Sequence, residues 1–184
     1  MSNFPYGVNG VEPGEPIEVA MERSLVTFLV EQFGDPGFFL ENARVLQGHR
    51  DARLVLGPNE LADAAPENAR RVQVVIFGGE QREGFEGTEG SDTVEISVEV
   101  STHLRDGAEA MERHLEVVQG LRALLSRAWR GEVVEALIAA ADADMQWQGI
   151  RRTEESVAST TFVGDVIFTR TTYEGVGWRV YAEE

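Results

Sequence analysis

Residues 93–103 read TVEISVEVSTH and residues 106–129 read DGAEAMERHLEVVQGLRALLSRAW, and the change of period between them decides the fold class. In the first run Val94, Ile96, Val98 and Val100 alternate with Glu95, Ser97, Glu99 and Ser101. Successive side chains of a strand point to opposite faces, so this is a strand with one buried face and one wet face. In the second run Met111, Leu115, Val118, Leu121, Leu125 and Trp129 recur at three- and four-residue intervals. They fall on one stripe of a helix that can lie on the strand's apolar face. Asp106, with Glu109 three residues on, is placed to cap that helix, which is expected to run to about Ala128.

Working outward, Gly131 separates this helix from a second one, Glu132 to Ala141. Met145-Gln146-Trp147 with Ile150, and the Thr-, Val- and Phe-rich run Thr160 to Tyr173, then read as two adjacent antiparallel strands. Upstream, Arg71 to Phe77 is β-branched and aromatic, and Gly78-Gly79 is expected to end it. With the strand that begins near Thr93 it predicts an antiparallel pair joined by a long acidic Gly/Glu arm, residues 80–91. Ile17 to Phe33 reads as the first helix, with Pro16 near its first turn, Glu15 and Glu18 at the positive end of its dipole, and Gly34 as its stop. Its apolar stripe is Met21, Leu25, Phe28, Leu29 and Phe33. Residues 35–70 are broken by Gly and Pro and are compatible with short strands or with turns at the periphery.

The order predicts one α+β domain, residues 17–174, between an N-terminal arm, residues 1–16, and a C-terminal tail, residues 175–184. A chain of 184 residues with 42% hydrophobic content can bury one core and is short for two. There is no internal repeat of helical or β type.

Composition removes whole reaction classes. Without Cys there is no disulfide framework, thiolate metal site or cysteine nucleophile. All 16 basic residues are Arg, so there is no phosphate-loop lysine, Schiff base or lysine general base. A GC-rich genome that favours Arg, Ala, Gly and Val codons is the simplest explanation of the missing Lys, and those chemistries are absent either way. The formal net charge of -16 is spread along the chain and repels a nucleic-acid backbone at long range, which argues against sequence-specific binding. It leaves room for a surface that DNA passes without sticking. Met1 to Gly14 has neither a basic nor an apolar leader region, and no run is long and apolar enough to span a bilayer, so the expectation is a soluble protein without a signal peptide.

Candidate chemistry is sparse. His49, His103 and His114 show no HExxH spacing and no i, i+4 pair, and surface or core-edge roles account for them. The carboxylates of Glu86, Glu89 and Asp92 lack the ligand order of an EF-hand, and the glycines Gly84, Gly87 and Gly90 lead into a strand rather than a helix. Asp142 with Asp144, and Glu154 with Glu155, are uninformative in a chain with 32 acidic residues. Ser126, Ser156 and Ser159 lack a nucleophile elbow. No catalytic residue, cofactor site or metal site is expected. The aromatics of the two ends, Phe4 and Tyr6 in one, Trp178 and Tyr181 in the other, fit either anchors on a partner or packing back on the parent sheet. With Phe85 and Glu86 of the arm, and Arg151 and Arg152 at the start of a polar stretch, they form the candidate assembly interface.

The strand Thr93 to His103, the helix Asp106 to Trp129, the stretch Met145 to Ile150 and the run Thr161 to Tyr173, with Ile17 to Phe33 and Val72 to Phe77 before them, resemble the tail terminator or tail-completion proteins of long-tailed bacteriophages and of gene-transfer particles. The likeness is one of element order and texture. It implies a two-layer α+β subunit with a mostly antiparallel sheet of about four strands and helices on one face. It further implies a homo-oligomeric ring, usually a hexamer, in the virion at the head-proximal end of the tail, assembled in the host cytoplasm. The implied partners are the tail tube protein and the head connector or stopper protein, with DNA passing through the lumen and no membrane involved. A different neck or head-tail joining protein would share the texture. A small acidic ligand-binding or enzyme domain is the reading from another class, and it predicts a deep pocket with convergent polar groups.

Overall fold

The structure, a computed structural model, describes residues 16–33, 43–49, 72–83, 92–128, 131–141, 145–152 and 159–179. Among these residues three helices and six strands follow one another as α1 (Ile17–Phe33), β1 (Ala43–Gln47), β2 (Val72–Glu83), β3 (Asp92–His103), α2 (Ala108–Leu125), α3 (Glu132–Ala139), β4 (Met145–Arg151), β5 (Ser159–Val163) and β6 (Val166–Arg179). The class is α+β.

The sheet is mixed and six-stranded, in the order β1-β2-β3-β6-β4, with β5 also paired to β6. This corrects the expectation of about four mostly antiparallel strands. β1, inside the unassigned residues 35–70, pairs in parallel with β2, Val45 opposite Val74. β2 and β3 form the expected antiparallel pair. The run Thr160 to Tyr173 is not one strand: Val163 pairs with Val166 around a two-residue loop, Gly164-Asp165. Gly164 there has φ +57°, the left-handed conformation that a tight hairpin loop of this kind requires. β6 continues through Gly175 and Gly177 to Arg179 because β3 pairs with it as far as Gly177 and β4 as far as Arg179.

Two further boundaries differ from the sequence reading. Gly78-Gly79 does not stop β2; the register shifts between Gly78 and Gln81 and the strand goes on to Glu83. Asp106 is not the cap of α2: it ends a 3-10 turn, Leu104–Asp106, and Gly107 at φ +60° precedes the helix.

The alternation read in β3 is realised. Val94, Ile96, Val98 and Val100 are buried, and one core cluster joins them to Met21, Leu25, Phe28 and Leu29 of α1, to Val117, Val118, Leu121, Leu124 and Leu125 of α2 and to Leu137 of α3. The opposite face carries cross-strand ion pairs, Glu99 with Arg170 and Glu174 with Arg151 at 2.6 Å. α1 lies so close to the sheet that the Glu18 carbonyl would stand 2.2 Å from a Cβ on Gly78. Trp147 of β4 fixes the same helix from the other side, its indole N–H donating to Ser24 Oγ at 2.7 Å.

The stripe of α2 is turned from the expected one. Ala110, His114, Val117, Val118, Leu121, Leu124 and Leu125 are buried, whereas Leu115 is 45% exposed.

Candidate assembly interface

β4 and β5 share one edge of β6. β4 takes residues 174–179 and β5 takes residues 166–170. All five residues of β5 are exposed, Phe162 at 60% and Val163 at 49%, and the strand contains no charge and no proline. Its pairing register sets the direction of its polar groups. A two-residue hairpin loop makes Val163 and Val166 a hydrogen-bonded pair, and such pairs alternate with non-bonded ones along an antiparallel ladder. Thr160 and Phe162 therefore direct their N–H and C=O groups away from β6. The short side-chain contact between Thr160 Oγ1 and Thr169 Oγ1, 2.9 Å, agrees with a non-bonded pair, where side chains stand closest. Sheet edges usually carry lysine, proline or a bulge that blocks further pairing, and β5 carries none of them. The other end of the sheet is β1, paired among the described residues only with β2.

At the far end of β4, a cavity of about 570 Å³ is lined by Ser126, Arg127, Glu132, Val133, Ile150, Arg151 and Arg152. It exists because the Ile150 amide donates to the Ala128 carbonyl at 3.0 Å, which ties the end of α2 to β4 and brings Arg127 beside Arg151 and Arg152. Burial pushes the Tyr173 phenol above its usual value, and the fields of Arg122 and Arg152 oppose that rise.

Two polar clusters sit in the core. Glu22 is fully buried, and its carboxylate accepts from the His49 amide at 2.8 Å, from the Gly78 amide at 2.8 Å and from His49 Nδ1 at 2.5 Å. Because an ionised carboxylate only accepts, Nδ1 carries a proton, and Nε2 is the ring's remaining nitrogen on a side chain that is half exposed. The pairing orients the imidazole as a general base is oriented, yet no hydroxyl bonds to it among the described residues. Its evident work is to clamp α1 to the end of β1 and to β2.

His114 is the second cluster. Its Nδ1 lies 2.9 Å from Thr102 Oγ1 and its Nε2 lies 2.8 Å from Thr169 Oγ1, both on the sheet. Burial lowers its pKa from 6.5 to about 4, so the ring is neutral at pH 7. His103 is also buried, and its Nδ1 accepts from the Arg105 amide, capping the 3-10 turn. No group of three or more His, Cys, Asp or Glu is arranged to hold a metal ion among the described residues. No helix among them is long and apolar enough to cross a membrane.

Of the residues singled out from sequence, Phe4, Tyr6, Phe85, Glu86 and Tyr181 lie outside the described residues. Arg151 and Arg152 are exposed and share the cavity. Trp178 is not in a free tail: it is half-buried in β6 and pairs with Gln146 of β4. Packing back on the parent sheet, rather than a free anchor, describes it. Sequence reasoning missed Phe162 and Val163, hidden in a run read as one strand, and it missed Arg127, which only the junction of α2 with β4 brings into place. The signal for the first was present in Gly164-Asp165. Neither a protein-family model nor a curated protein matches the chain.

Proposed function

We propose that this chain is the subunit of a ring that caps the tail tube of a long-tailed bacteriophage or a related gene-transfer particle, ends tube polymerisation and joins the tail to the head connector. The observation that carries the reading is the uncharged, wholly exposed β5 edge, at one end of a sheet whose other end is a different strand, β1. An edge of this kind attracts another strand unless it is meant to be covered. Two unlike edges at opposite ends of one sheet favour head-to-tail contacts, and such contacts close into a ring when the rotation between subunits closes. The subunit would act as a two-layer wedge, its helices on one side of the sheet. The dispersed negative charge suits a lumen along which DNA slides.

The test is genetic. Deleting the gene yields tails of irregular length that fail to join heads. Tails of normal length on filled, joined particles would contradict the reading.

A further inference from the structure

We infer that the Thr160 hydroxyl fixes the register of the β5 edge and so aims the peptide groups that meet a neighbouring copy, a positioning role that rests on the ring reading and specifies it. Burial does not hold β5 in place. All five of its residues are exposed, and β6 is its one strand partner among the described residues. A strand with no buried face has a weakly specified register, because the hydrophobic pattern that pins β3 is missing from it. A slip of one residue would replace the outward-directed peptide groups of Thr160 and Phe162 with those of their neighbours. The two-residue loop, Gly164-Asp165, sets the register at one end of the strand. Toward the other end, Thr160 Oγ1 meets Thr169 Oγ1 of β6 at 2.9 Å.

That contact is the outer end of a hydrogen-bonded chain that starts in the core. Thr169 Oγ1 also lies 2.8 Å from His114 Nε2 of α2, and His114 Nδ1 lies 2.9 Å from Thr102 Oγ1 of β3. His114, Thr102 and Thr169 are buried, and Thr160 is the exposed member. The neutral ring carries one N–H and each hydroxyl one O–H, so the three contacts are satisfied together as one directed chain. The chain carries the fixed positions of α2 and the central strands out to a strand with no buried residue. Thr160 is bound inward by its hydroxyl, while its N–H and C=O point away from β6. One residue thus joins the core to the peptide groups offered at the edge.

Thr160→Val tests this on the full chain, since valine suits a strand as well as threonine does and differs chiefly in lacking the hydroxyl. Association is followed by sedimentation velocity, and amide exchange by NMR at a concentration where single copies prevail. The variant is expected to associate about three- to tenfold more weakly than wild type, the range of one hydrogen bond. The Thr161 and Val163 amides, which bond to β6, should exchange faster while those of β3 keep their protection. Thr160→Ser keeps a hydroxyl and should restore both readouts. Matching circular dichroism and melting profiles establish that the variants fold. Wild type that associates, with Thr160→Val associating equally, overturns the role of Thr160 and leaves the ring standing. Weaker association with exchange unmoved makes the hydroxyl a direct contact with the neighbour and overturns the positioning role. A loss that Thr160→Ser shares assigns the effect to something other than the hydroxyl and overturns it as well. A wild type that is monomeric at every concentration contradicts the ring reading and the role together.

Discussion

Glu22 shows how one buried side chain can hold three segments. Its carboxylate is the partner of the Gly78 amide and of two His49 donors, so truncation leaves a buried N–H unsatisfied. An orphaned buried donor costs about 1–3 kcal/mol, and charged acceptors lie at the upper end. Glu22→Ala is therefore expected to lower the unfolding free energy by about 3 kcal/mol in urea titrations. A loss below about 0.5 kcal/mol, the range of ordinary surface substitutions, would contradict the clamp. His114 gives a pH signature. Its folded pKa, about 4, lies below the unfolded 6.5, so the neutral ring contributes stability that is complete above pH 6.5 and is lost as pH falls toward 4. The two values correspond to about 3 kcal/mol. His114→Gln should remove that part of the pH dependence, leaving the slope from carboxylates. An unchanged slope would contradict the burial. The inward turn of His114 in place of Leu115 could not be read locally. The helix stripe alone favours leucine inside, and only the sheet hydroxyls of Thr102 and Thr169 make a buried imidazole affordable.

At the scale of elements, two glycines behave oppositely. Gly78 lies under the Glu18 carbonyl, backbone against backbone, so Gly78→Ala must separate α1 from β2. The expected loss is about 3 kcal/mol, the upper range for overpacking. Gly120, within α2, has nothing within 4 Å of a built Cβ, so Gly120→Ala should stabilise by about 0.5–1 kcal/mol through helix propensity. Thermal melts of both variants check the pair; similar effects would contradict the packing of α1. The β5 edge yields a third expectation. Phe162→Pro removes an outward N–H and the exposed ring but no bond to β6, and proline is tolerated on an edge. Association should weaken tenfold or more, about 1.4 kcal/mol, with the melting temperature little changed. Equal association would contradict the use of this edge. The long elements were legible because period is a local property: α1 falls on the expected bounds and β3 alternates as read. β1 was not, since five residues carrying Arg44 and Gln47 become a strand only through a parallel partner, β2, far along the chain. β5 was not, because its composition continues that of β6.

For the whole molecule, the sequence carried the α+β class and singled out Arg151 and Arg152, but not the cavity that they line. Surfaces are made by distant parts of the chain, and the cavity needs α2, α3 and β4 together. The described residues form a polar face, a helical face and an uncharged edge at one end of the sheet, with Arg127, Arg151 and Arg152 along one cavity. The most direct measurement is the solution mass of the purified chain together with negative-stain images, alone and with tail tube protein. The account predicts a closed ring of identical copies, on the ends of tubes when these are present. A compact monomer at high concentration, with no ring even beside tube protein, would contradict it.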